Sequence, residues 1–527
     1  MKPRFLSERY AVAGQLTLAD VEAAKAEGFR GIVCLRPDGE EAGQPTAAEI
    51  GVAAEKAGLE FVYIPVRSGT TPNADGVNAM RRALDTIQGK VLGYCRSGKR
   101  AEDIYELAKA SRPEAPKTRR FDVVIAGGGA AGISTAASLL KRRPGTTVAI
   151  IDPANEHYYQ PGWTLVGAGV FTPEQTRRTE VSVIPKAANW IRETVTGFDP
   201  DHRQVLLGDG SSVEYSVLVV ALGLKLDWNG IEGLAETLGK NGVTSNYRYD
   251  LAPYTWKLVQ ELRQGTALFT QPPMPIKCAG APQKAMYLSC DEWTRRGVKG
   301  AIEVEFDTCT PGLFGVADYV PALMEYIRRY NIALHTKSRL VKVDGAKRIA
   351  TFERTSDTGT TIIERAFDML HVVPPQTAPD VVRESVLAGD GGWVSVDPAT
   401  LRHTRYDDVF ALGDVAGTSN AKTAAAVRKQ APVVAENVVA TLGARAVNAI
   451  YDGYGACPLT VEKGRIVLAE FAYGGKLMPS FPKWLLDGTK PTRLAWFLKE
   501  KVMPPLYWLG MLRGHELMVK PGHKKAD

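Results

Sequence analysis

The sequence predicts an α/β protein in two parts, a small parallel α/β domain followed by a larger body built on the same principle. Three observations carry this. Before residue 110, short apolar runs alternate with helical patterns. The stretch SRPEAPKTRR (111–120) is polar, basic and proline-containing, the composition of a linker. Directly after it, FDVVIAGGGAAGISTAASLLKRR and TTVAIIDP read as strand, glycine turn, helix and strand. A chain of 527 residues, 45% hydrophobic and 23% charged, is globular and too long for one ordinary domain.

In the first part (1–110), GIVCLRP, EFVYIPV and KVLGYC read as short buried strands, and TLADVEAAKAEG and PTAAEIGVAAEKAG as helices between them. KVLGYCRSGKRAEDIYELA is a strand, a loop opening at Cys95, and a helix. Four residues separate Cys95 from Arg100. The backbone N–H groups of such a loop form a nest that, with the helix dipole, stabilises a thiolate or an anion. Tyrosine phosphatases need five intervening residues to wrap a phosphate; the shorter loop has the rhodanese-like length. Together with VCLRPDGEE (33–41) and YIPVRSG (63–69), this part resembles the phosphatase-like sulfurtransferase domain related to beta-lactamase-hydrolase-like proteins. The resemblance implies that Cys95 carries sulfane sulfur to or from a small thiol such as glutathione, with Arg100 beside it. Tyr94 replaces the histidine before the phosphatase cysteine, and Lys99 stands where the sulfurtransferase loop has threonine. Phosphatase activity and a degenerate module remain the alternatives, and Asp38 is the general-acid candidate under the phosphatase reading only.

The glycine loop after the linker has its proper context. Gly127, Gly129 and Gly132 follow an apolar strand and open a small-residue helix that includes Ala131, and the next strand ends in Asp152. Such glycines allow a tight turn, close approach of N–H groups to a pyrophosphate and close helix–strand packing. The helix N-terminus favours the anion, and Asp152 is placed to accept from ribose hydroxyls. YSVLVVALG (215–223), ending in Gly223, and DDVFALGDVAG (407–417), containing Gly413 and Asp414, resemble the strands that approach FAD in flavoproteins with two dinucleotide domains. Residues 121–450 are therefore expected to be a tandem Rossmann flavoprotein holding FAD.

Where the second glycine loop of such a protein belongs, this chain has PPMPIKCAGAPQKAMYLSC (272–290). That segment, with YYQPGWTLVGAG, LHVVPPQTAPDVV, NAKTAAAVRKQ, YDGYGACPL and PPLYWLGMLRG, resembles the mitochondrial-type sulfide:quinone oxidoreductase family over residues 121–527. The resemblance implies that the nicotinamide site is lost and that Cys278 faces the flavin. Sulfide or a persulfide is then the electron donor and quinone the acceptor. Lys277 and the following helix N-terminus are candidates for activating the Cys278 thiol, and Lys422 for stabilising the reduced flavin. The family's second redox cysteine is expected directly after Gly413-Asp414, where this sequence has Val415. Cys290 and Cys309 are the nearest substitutes. Otherwise Cys278 works alone through a persulfide or mixed disulfide, with Cys95 partly replacing the missing cysteine, or sulfide is no longer oxidised.

The C-terminal region (451–527) is basic, with ten Lys/Arg against four Asp/Glu from Lys476 onward, in a chain of net charge +7. Its mixture of tryptophans, leucines and lysines suits either core packing or an amphipathic helix lying on a membrane, and the family resemblance implies the second, a monotopic contact that admits quinone. No run of 18 apolar residues occurs, no secretory signal is expected, and six cysteines suit a reducing compartment. The expected location is the cytoplasmic side of a membrane. No nucleic-acid module is present, and the seven histidines have no metal-ligand spacing. Two rivals stay open: an NAD(P)H-dependent thiol or persulfide reductase, which the missing second glycine loop argues against, and a sulfide sensor that does not turn over.

Overall fold

A computed structural model describes residues 2–110, 119–419 and 422–524. It forms two compact units, Met1–Lys117 and Thr118–Asp527. Of the expected linker, residues 111–118 lie outside the described residues, while Arg119 and Arg120 begin a strand.

The first unit is a five-stranded sheet of β1 (Arg4–Phe5), β2 (Tyr10–Ala13), β3 (Phe29–Cys34), β4 (Glu60–Tyr63) and β5 (Lys90–Tyr94), in the order β1-β2-β5-β3-β4. All neighbours are parallel except β1 and β2. Four helices, α1 (Leu18–Ala26), α2 (Ala47–Lys56), α3 (Ala74–Thr86) and α4 (Lys99–Ala110), cover it. Thr17 with Asp20 and Thr46 with Glu49 form capping boxes that fix the starts of α1 and α2. Central β5 ends at Tyr94, so Cys95 sits at the carboxyl end of the sheet, where open α/β folds place their chemistry.

In the second unit, β6 (Arg119–Ala126) lies between parallel β7 (Val148–Ile151) and the strand Ser212–Val220. The helix α5 (Ala130–Arg142) leaves the glycine turn after β6. The strand Val409–Ala411 joins the same sheet beside Ser212–Val220 and delivers Gly413 and Asp414 to its carboxyl end. A second, parallel sheet contains Val243–Thr244, Met369–His371, Gly265–Gln271, Ile302–Thr308 and Ile332–His335. After Gly265–Gln271 the chain makes the Cys278 loop and enters the helix Ala281–Arg295.

The region after residue 450 begins as a hairpin, Gly455–Glu462 with Arg465–Phe471. Its apolar face (Cys457, Leu459, Val461, Val467) shares one core with Ala285, Met286 and Cys290 of the helix Ala281–Arg295. Burial of this face ties the hairpin to that helix, at about 25 cal/mol for each Å² of apolar surface removed from water. A helical stretch from Arg493 to Arg513 follows. It widens into π-turns at Leu498–Val502 and Leu506–Gly510, on either side of Pro504 and Pro505. Proline removes the N–H that the α-helical ladder needs, and such widened turns collect at functional sites.

Candidate active site

The dinucleotide cradle is enforced by backbone proximity. A Cβ on Gly127, whose φ is +110°, would stand 2.5 Å from the Ala221 carbonyl oxygen, and one on Gly132 would stand 1.9 Å from that of Gly127. Only glycine allows this turn and this contact of α5 with β6. A Cβ on Gly129 or Gly223 would meet nothing within 4 Å. Both residues line a cavity of about 530 Å³ together with Ala131, Asp152, Gly413 and Asp414. Gly127 and Gly132 are not among the residues that line it. Asp152 accepts from the Gly128 and Ala154 N–H groups at 2.6 and 2.8 Å, which holds the carboxylate at the cavity's edge.

Buried polar atoms without a partner gather on this cavity: Trp163 Nε1, Thr164 Oγ1, Glu180 Oε1 and both amide atoms of Asn246. Unpaired buried groups are costly, so their concentration here fits a ligand with many polar edges. Burial pushes the Glu180 carboxyl above its ordinary value. Its other oxygen lies 3.3 Å from His157 Nδ1, whose Nε2 lies 2.6 Å from the Tyr507 hydroxyl. These residues fit a bound flavin cofactor.

Cys278 lines the same cavity. Its φ is +49°, its N–H donates to the Lys422 carbonyl at 2.9 Å, and its own carbonyl accepts from Ala281 N–H at 2.7 Å. The loop is thereby fastened both to the helix it precedes and to the segment carrying Lys422. Cys278 Sγ lies 3.9 Å from Cys457 Sγ and 3.1 Å from Lys284 Nζ. The hydrogen bond from Cys457, followed by the Lys284 ammonium, holds the Cys278 thiol well below its ordinary value. Cys457, the donor, is held above its own. Gly280 makes the meeting possible, since a Cβ there would stand 2.5 Å from Cys457 Sγ and 2.3 Å from Leu459.

Several sequence expectations change at this point. Lys277 was the candidate activator, but its ammonium donates to Gln160 Oε1 at 2.6 Å, and Lys284 is the lysine on the thiol. Helical side chains tilt toward the N-terminus, which brings Lys284 back over the Cys278 loop. Cys290 and Cys309 were only the nearest cysteines by sequence that could stand in for Val415. Cys290 is fully buried in the core, its thiol pushed up to about 12 by burial, and Cys309 points at the Ser338 carbonyl. The cysteine beside Cys278 is instead Cys457. Cys457, Gly280, Glu180 and Lys499 were all missed from sequence. The cysteine stood in YDGYGACPL, a segment already singled out, but nothing local in that segment says which residue it meets.

Lys422 lines the cavity. Its ammonium donates to the carbonyls of Asp414 and Ala416 at 2.6 and 3.1 Å and lies over the Trp393 ring, and burial lowers its titration to about 8. Lys499, from the first π-turn, also lines the cavity and donates to the Pro161 carbonyl at 3.2 Å. Burial, then the charge of Lys284, lowers its titration to about 7.

In the first unit, Cys95 is buried and its Sγ accepts from Gly98 N–H at 3.2 Å, a closed loop of the nest type. Arg100 forks onto Glu40 at 2.7 and 2.8 Å and also donates to the Val66 carbonyl. Asp38 Oδ1 accepts from the Ala47 N–H at the start of α2, at 2.7 Å. That carboxylate is spent on capping a helix, which argues against it as a general acid.

Comparison with known proteins agrees with this geometry. Residues 2–112 match the model of the beta-lactamase hydrolase-like protein, phosphatase-like domain, and residues 121–268 that of pyridine nucleotide-disulphide oxidoreductases. Over 396 residues the chain is 40% identical to the mitochondrial sulfide:quinone oxidoreductase of Dictyostelium discoideum, covering 74% of this chain and 86% of that one. The chain belongs to the sulfide:quinone oxidoreductase family. Membership brings a flavin cofactor with it. The first unit is 38% identical over 110 residues to a beta-lactamase hydrolase-like protein of Agrobacterium fabrum, covering 21% of this chain and 25% of that one. The fold is shared with the sulfide:quinone oxidoreductase structure from Aquifex aeolicus, at a TM-score of 0.65 and 21% identity over 78% of this chain and 98% of that one.

Proposed function

We propose that this family member oxidises sulfide to sulfane sulfur and delivers the electrons to quinone, with FAD as its flavin. The observation that carries the reading is the Cys278–Cys457 pair, 3.9 Å apart with Lys284 on one sulfur, in the wall of the dinucleotide cavity. FAD would be held by the glycine turn, Asp152, Gly413-Asp414 and Lys422, and supplies the two-electron exchange between sulfur and quinone. The cysteines handle the sulfur. Hydrosulfide attacks one sulfur of a Cys278–Cys457 disulfide; the S–S bond breaks, one cysteine leaves as thiolate and the other holds the new sulfur as a persulfide. A small thiolate such as glutathione then takes the outer sulfur. Two cysteine thiolates remain, and closing their disulfide again gives up two electrons. Lys284 stabilises Cys278 as the leaving thiolate.

The basic C-terminal region supports a peripheral contact with the cytoplasmic face of a membrane. Trp484 is 84% exposed, and Leu485, Phe497, Leu509, Leu517 and Met518 are exposed as well. Among the described residues no helix is long and apolar enough to cross a membrane. We assign sulfur transfer to Cys95, with Arg100 and Glu40 fixing its loop. A steady-state assay of sulfide-dependent reduction of a short-chain quinone, with persulfide measured as product, tests the reading. One quinol per persulfide supports it, and NADH-driven reduction of persulfide in place of this reaction refutes it.

A further inference from the structure

Reduction of a quinone consumes two protons as well as two electrons, and the cysteine pair accounts only for the electrons. Tyr454, Glu470 and Ser480 line the cavity that also holds Cys278, along with apolar Phe481, Val502 and Leu506. Tyr454 and Glu470 are buried, whereas Ser480 is exposed. Glu470 Oε1 accepts from the Tyr454 hydroxyl and from Ser480 Oγ, each at 2.5 Å, and Oε2 accepts from the Ser480 N–H at 3.1 Å. Its oxygens are thus held by two hydroxyls and an amide, without an ion pair among the described residues. Short O–H···O⁻ bonds of this length are the strong, charge-assisted kind. A buried carboxylate satisfied by hydroxyls, one of them on the exposed Ser480, is a continuous chain of exchangeable protons along the cavity wall.

We infer that Ser480, Glu470 and Tyr454 form the proton entrance for the acceptor side of the reaction. The inference rests on the quinone reading above. As the quinone takes two electrons, negative charge develops on its oxygens. The Tyr454 O–H bond breaks and its proton goes to a quinone oxygen. Glu470, protonated from solvent at its Ser480 end, returns a proton to the tyrosine. Each passage moves one proton inward and leaves the three residues as they began, so two passages match the two electrons of one quinol.

The test uses the full chain with its flavin reduced photochemically, which bypasses the sulfide step. Tyr454→Phe and Glu470→Gln are each mixed anaerobically with a short-chain quinone and, separately, with ferricyanide, which takes electrons without protons. The expected result is at least a tenfold loss in the rate with quinone, no loss with ferricyanide, and unchanged affinity for a redox-inert quinone analogue measured by tryptophan fluorescence quenching. Equal slowing with both oxidants, weakened analogue binding that accounts for the loss, or full quinone rates in both variants would overturn the inference. If the wild-type protein passes no electrons to quinone at all, the functional reading itself fails, and the ferricyanide arm separates that outcome from a fault in the relay.

Discussion

Cys278 and Cys457, 179 residues apart in the chain, bring their sulfurs to 3.9 Å, and the first is shared with Lys284 Nζ at 3.1 Å. The loop before the helix Ala281–Arg295 and the hairpin strand Gly455–Glu462 meet at this point, and Gly280 leaves the room for it. The geometry makes the pair a dithiol that closes with little movement, since a disulfide needs only about 2 Å between sulfurs.

Removing the ammonium tests the activation of Cys278. In Lys284→Met the Cys278 thiol should titrate higher than in the wild type, because the ammonium that favours its charged form is gone. The pH profile of iodoacetamide alkylation, read by peptide mass spectrometry on reduced protein, measures it. The thiolate is the reactive form, so the wild-type rate should level off at lower pH than the variant's.

Gly280→Ala pushes a methyl group onto Cys457 Sγ and Leu459. Overpacking of this kind costs about 1–3 kcal/mol. Chemical denaturation should report that loss, and oxidation of the dithiol should slow in parallel. A fully stable variant would mean that hairpin and helix separate more easily than the packing implies.

Lys499 gives the protein a pH dependence with a defined sign. The unfolded chain keeps that proton up to about 10.5, the folded chain only below about 7. Between these values the unfolded state binds more protons, so stability from this group rises with pH through the window and is flat below it. Lys499→Met should remove a slope of about 1.4 kcal/mol per pH unit there. Urea titrations at intervals across the window provide the check.

Cys95→Ser should abolish persulfide formation on the first unit while leaving sulfide-dependent quinone reduction unchanged, because Cys457 already supplies the second sulfur. Persulfide tagging followed by mass spectrometry of the Cys95 peptide distinguishes the two activities. A proportional fall in quinone reduction would instead restore the coupled route.

The dinucleotide cradle was legible in the sequence because backbone clashes dictate it. Gly127 and Gly132 sit where any Cβ would strike a carbonyl, so their spacing survives as a pattern. The position of Cys278 was legible for a related reason, since the loop after the strand Gly265–Gln271 is where the second glycine turn belongs. Cys457 was not, because a contact across 179 residues leaves no periodicity and the strand that carries it reads simply as apolar. Choosing Lys277 over Lys284 came from proximity in sequence, whereas helix geometry decides which lysine folds back on the thiol. Asp38 shows the same limit: a capping carboxylate and a general acid are spelled alike until the Ala47 N–H is seen donating to it.

The central claim is that two cysteines carry the sulfur chemistry beside the flavin. Anaerobic stopped-flow absorbance of oxidised wild-type and Cys457→Ser protein, mixed with sulfide and then with a short-chain quinone, tests it most directly. The account predicts rapid flavin bleaching in the wild type that quinone reverses, and bleaching slowed at least about a hundredfold in Cys457→Ser, about 2.7 kcal/mol in the barrier. Equally fast bleaching in both proteins would contradict it.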